Sequence, residues 1–208
     1  MFDIARLIDL TDKLGLIQAV KTKLMRQPDP AAEKLVTVLE ELKKIYLVIE
    51  SEFARYLSLE FDPSIGFQEE RAALLTLEGG QLETRMSEAR GHCHKIANIY
   101  HKYLNPWFQK MVQDYILSQG EADMLLRIFE DLSVADNSIM YVLYSMAQWL
   151  TQESTDILNL VDAGNYEAAN KRIKDARREV LRARRAVSRA LSSMLELQAD
   201  FIDMSGIV

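Results

Sequence analysis

Ile173-Lys174-Asp175-Ala176-Arg177-Arg178-Glu179-Val180-Leu181-Arg182-Ala183-Arg184-Arg185-Ala186-Val187-Ser188-Arg189-Ala190-Leu191-Ser192-Ser193-Met194-Leu195-Glu196-Leu197-Gln198-Ala199-Asp200-Phe201 is the most informative stretch of this chain. Written as a heptad, it places Ile173, Val180, Val187, Met194 and Phe201 at a, and Ala176, Ala183, Ala190 and Leu197 at d. Four heptads run without a slip, so the segment reads as one long helix with a single apolar seam. Alanine at three successive d positions removes bulk from that seam and lets a neighbouring helix approach closely. A helix over 166–203 would be about 57 Å long at 1.5 Å per residue.

The same period extends upstream. Ile139, Leu143, Met146, Leu150, Ile157 and Leu160 form one face of a helix over 136–163, capped by Asp136 and stopped by Ala163-Gly164, after which Asn165 starts the last helix. The two should fold back as a hairpin. A first helix over 3–25 carries Ile4, Leu7, Ile8, Leu14, Ile17, Val20 and Leu24, with Gly15 a soft point. Asp29-Pro30 is a cap followed by proline, and opens a helix over 30–61 with the stripe Leu35, Leu39, Leu42, Tyr46, Ile49, Phe53, Tyr56, ended by Asp62-Pro63.

A third helix spans 67–104, with Leu75, Leu82, Met86, Ala89, Cys93, Ile96, Tyr100 and Tyr103 on one face and Gly79-Gly80 as a kink or break. Asn105-Pro106 repeats the cap-and-proline signal. Ser118-Gln119-Gly120-Glu121 has the spacing of a capping box, so short helices over 106–117 and 119–132 follow. Eight glycines and four prolines in 208 residues leave few turns, which agrees with long helices. The expected fold is all-α: one domain over 1–208, an antiparallel bundle of four long helices, with the two short ones as a connection or a fifth strut.

Gly164-Asn165-Tyr166-Glu167-Ala168-Ala169 resembles the Gly-x-Tyr-x-x-Ala start of a tetratricopeptide-repeat helix. The resemblance covers this turn alone, and no second copy lies about 34 residues away, so no repeat function is carried over.

Composition narrows function by exclusion. Apolar residues are 49% and charged residues 27%, the balance of a globular chain. With Cys93 the single cysteine, no internal disulfide is possible, and a cytoplasmic location is the expectation. The start of the chain has charges within its apolar pattern, unlike a secretory signal, and no run of about 18 apolar residues occurs to span a membrane. Phosphate-binding glycine loops, nucleophile elbows and HExxH are missing, so no catalytic residue is assigned and the chain is read as a non-enzyme without cofactor.

His92, His94 and His101 invite a metal reading, but on a helix His92 and His94 diverge by about 200°, and His94 and His101 are about 10.5 Å apart along the axis. Glu88 with His92 is the one pair at i, i+4 spacing, and its ordinary reading is an exposed ion pair. A metal-dependent bundle enzyme ranks third among the functions. Cys93 sits on the apolar stripe and reads as a small buried hydrophobe.

Charge is the best lead. Lys171, Arg172, Lys174, Arg177, Arg178, Arg182, Arg184, Arg185 and Arg189 against Asp175 and Glu179 make this segment +7, which leaves −13 for the rest of a chain whose net charge is −6. Most fall at b, c, e and f, off the seam. Three roles rank in order: solvated or intramolecular neutralisation, with Glu153 and Asp156 returning beside Arg172; docking of an acidic protein; contact with an anionic membrane surface or nucleic acid. The functional expectation is a helical scaffold or adaptor that binds another protein or a second copy of itself, with Lys174, Arg178, Arg182, Arg185 and Arg189 as its surface. Binding of anionic lipid or nucleic acid by those residues is the alternative.

Overall fold

The computed structural model describes residues 4–25, 29–57, 81–133 and 139–205. Of these, 94% are helical and none is in a strand. The elements are α1 (Ile4–Leu24), α2 (Pro30–Leu57), α3 (Gln81–Ile99), a π-turn (Tyr100–Leu104), α4 (Asn105–Gln113), α5 (Gln119–Ser133), α6 (Ile139–Asp162) and α7 (Tyr166–Ser205). The expected kink at Gly79-Gly80, the Asp62-Pro63 stop and the Asp136 cap lie outside the described residues.

Local sequence chemistry explains the ends. The Asp29 carboxylate accepts from the Ala31 N–H at 2.9 Å, which caps α2. At the start of α5, Ser118 and Glu121 form the reciprocal capping box, with the Ser118 N–H donating to Glu121 Oε2 at 2.9 Å and the Glu121 N–H to Ser118 Oγ at 3.3 Å. Gly164 at φ +71° closes α6, with its N–H on Val161 O and the Asn165 N–H on Leu160 O, both at 2.9 Å. The Asn165 side chain then caps α7 through the Ala168 N–H. Gly15 lies inside an unbroken α1.

Asn105-Pro106 is not a helix start. Leu104 and Asn105 are both right-handed helical, no side chain caps α4, and the Asn105 N–H reaches back to Tyr100 O. Proline at 106 has no N–H and its ring would strike the Lys102 carbonyl in an α-helix; widening the preceding turn to π relieves the collision without breaking the rod. The extra residue also rotates the buried face: Leu104 is buried, while Tyr103 is on the rim.

α7 is the axis of the structure. Every a and d residue from Ile173 to Phe201 is buried, and α7 packs most extensively on α2 and then α1. Directions follow from side-chain pairs. Thr11 Oγ1 donates to Ala186 O at 3.4 Å and Lys21 pairs with Asp200 at 2.6 Å, so α1 and α7 run parallel. Lys13 with Asp131 and Lys23 with Glu121, each at 2.6 Å, set α5 antiparallel to α1. α6 turns back on α7, so α5 and α6 share a direction. A strictly alternating bundle would instead bring the first and last long helices together antiparallel; two consecutive helices of one sense prevent this.

Candidate functional site: a basic ridge on the last helix

Burying a and d turns b, c and f of α7 outward. Lys174, Arg178, Arg182, Arg185 and Arg189 are all exposed. At 100° per residue they fall within an arc of about 80°, a ridge about 22 Å long. Neutralisation along it is slight. Arg178 meets Asp175 at 3.4 Å and Arg182 meets Glu179 at 3.6 Å, loose pairs one turn apart on the same helix. Such exposed pairs contribute well under about 1 kcal/mol. Lys174, Arg185 and Arg189 form no ion pair with a described residue.

The other cations of the cluster have structural partners. Arg172 Nε lies 2.8 Å from Glu153 and its Nη2 2.5 Å from Asp156, which clasps α6 to α7. Arg184 reaches across to Glu50 of α2 at 2.6 Å. The cluster therefore divides: one edge ties helices together and the outer ridge does not.

Beside the ridge, a groove of about 580 Å³ is lined by Ile8 of α1 and by Leu181, Arg182, Arg184, Arg185, Ser188 and Arg189 of α7. Its floor is apolar; Leu181 is 44% exposed although it stands among arginines. A second groove of about 950 Å³ runs between α6 and α7, with Trp149, Leu160 and Ala176 below and Gln148, Gln152 and Lys171 above.

His92 does not use Glu88. Its Nδ1 is 2.5 Å from Glu41 Oε2 on α2, and Lys95 and Lys44 approach the same carboxylate at 3.4 and 2.7 Å. Burial raises the Glu41 pKa, but the hydrogen bonds from Lys44 and His92 outweigh it and hold the group down at about 2. Glu52, 1% exposed, is held by Arg85 of α3. The two glutamates are three turns apart on one edge of α2 and key α3 onto it. At 100° per residue they lie in line with each other, about 100° round the helix from the middle of the apolar stripe, on the flank that α3 covers.

His94 and His101 are exposed. Among the described residues no group of three or more His, Cys, Asp and Glu could hold a metal ion. Cys93 is buried, and burial pushes its thiol up to about 11, so it carries little thiolate near neutrality. No described helix is long and apolar enough to cross a membrane. Comparison of the chain with family models, with curated proteins and with solved structures gives no match.

Proposed function

We propose that this chain is a non-catalytic helical-bundle scaffold, acting in the cytoplasm, that docks a protein partner bearing an acidic surface on the ridge Lys174, Arg178, Arg182, Arg185 and Arg189. One observation carries the reading: Lys174, Arg185 and Arg189 are exposed on a rigid helix and pair with no described acid, while cations a turn away are tied into helix contacts. Arginine suits carboxylate recognition because its planar fork accepts a carboxylate through two parallel hydrogen bonds. A rigid helix presents those forks with little ordering cost.

The test uses an alanine-rich helical peptide with glutamates at i, i+3 and i+7, matching Arg182, Arg185 and Arg189, followed by fluorescence anisotropy at physiological salt. Wild type should bind it, and the double variant Arg178→Glu, Arg185→Glu should not, with helical circular dichroism and melting unchanged. Equal binding by the two proteins, or none by wild type, contradicts the proposal. An anionic membrane or nucleic acid is the rival ligand. Steeply salt-dependent retention on anionic vesicles or heparin, without peptide binding, would favour it.

A further inference from the structure

From the groove beside the ridge, we infer that the partner is an acidic amphipathic helix that inserts one apolar side chain between Ile8 and Leu181 while its carboxylates meet Arg182, Arg185 and Arg189. This rests on the protein-docking reading and adds the chemistry of the partner. The ridge alone asks only for negative charge. The groove asks for more, because an apolar floor lies within a rim of guanidinium groups. Leaving Leu181 44% exposed there forfeits burial that a docked apolar side chain would supply.

Other occupants fit less well. A second copy laid antiparallel along this face would centre its two-fold axis near Ser188 and set Leu181 of each copy against Leu195 of the other. It would also crowd Arg185 and Arg189 of both copies around that axis, four like charges in one contact. A bilayer surface would meet the cations along the whole ridge, whereas the apolar side chains here are confined to one point, Ile8 and Leu181. Nucleic acid would meet the cations but leave the floor uncovered, and no aromatic ring lines the groove for base stacking. An acidic helix satisfies rim and floor together, in the helix-in-groove mode.

Two alanine-rich peptides decide the matter. Both carry glutamates at i, i+3 and i+7; one has leucine at i+4 on the same face, the other alanine. Wild type should bind the leucine peptide at least about ten-fold more tightly, the effect of burying a little over half of the surface of its three extra carbons. Leu181→Ala, at an exposed position that folding does not need, should erase the difference and leave the alanine peptide's affinity unchanged. Arg185→Glu with Arg189→Glu should abolish both. Equal binding of the two peptides by wild type overturns the apolar anchor while leaving acidic docking intact. Binding of neither overturns both readings, and retention on phosphatidylserine vesicles or heparin in that case assigns the ridge to a polyanion.

Discussion

Tyr115 occupies a backbone conformation that ordinarily belongs to glycine. Its φ is +58° and its side chain is 96% exposed. The Tyr115 N–H bonds to Val112 O and the Ile116 N–H to Met111 O, the same closure that Gly164 provides at the end of α6. A left-handed residue with a Cβ costs about 1–2 kcal/mol. Tyr115→Gly should therefore raise stability in urea by about 1 kcal/mol, offset in part by glycine's freedom in the unfolded chain; a loss would show that the ring makes a contact of its own. Glu41 gives a pH-dependent prediction. Its folded pKa, about 2, lies below the ordinary 4.5, so its contribution is fully present above about pH 4.5 and disappears as pH falls toward 2. Glu41→Gln should cost about 1–2 kcal/mol at pH 7. The variant and wild type should draw together below pH 4.5 and converge only as pH falls to about 2; parallel acid limbs would mean that Glu41 does not key α3 to α2. Nothing in the sequence marks this glutamate as buried: it stands off the α2 stripe, and the packing of α3 on that flank, which is not local, covers it.

At the scale of elements, caps were the most legible feature. Asp29, Ser118 with Glu121, and Gly164 with Asn165 act through groups within a few residues, so sequence holds the whole cause. Asn105-Pro106 misleads for a related reason: proline excludes an ordinary α-turn, and the chain has two ways to comply, a new start or a wider turn. Packing of Tyr100, Leu104 and Phe108 into the core selects the second, and packing is not local. The alanine seam of α7 is a further element-scale test. Ala183 is fully buried against its neighbours, so Ala183→Leu should destabilise by about 1–3 kcal/mol through overpacking. Gly164→Ala should cost about 1 kcal/mol in urea through its positive φ, although the space around it is open. If both are neutral, the hairpin and seam are looser than described.

Across the whole molecule, the sequence carried the helical class and the charge polarity but not the helix directions. The parallel course of α1 and α7 depends on α5 and α6 sharing a sense, which is set by pairs such as Lys23 with Glu121, 98 residues apart in sequence. The candidate site was half legible: the heptad puts the five cations outside, but the sequence alone does not tell which cations have partners across the fold. Arg172 and Arg184 do; the outer ridge stands apart. The central claim is that this ridge does no work in folding. Its most direct test replaces Lys174, Arg178, Arg182, Arg185 and Arg189 together with glutamine and measures urea unfolding. Stability should stay within about 1 kcal/mol of the parent or exceed it as like-charge repulsion is relieved. A loss of about 3 kcal/mol or more would make the ridge part of the fold and contradict the account.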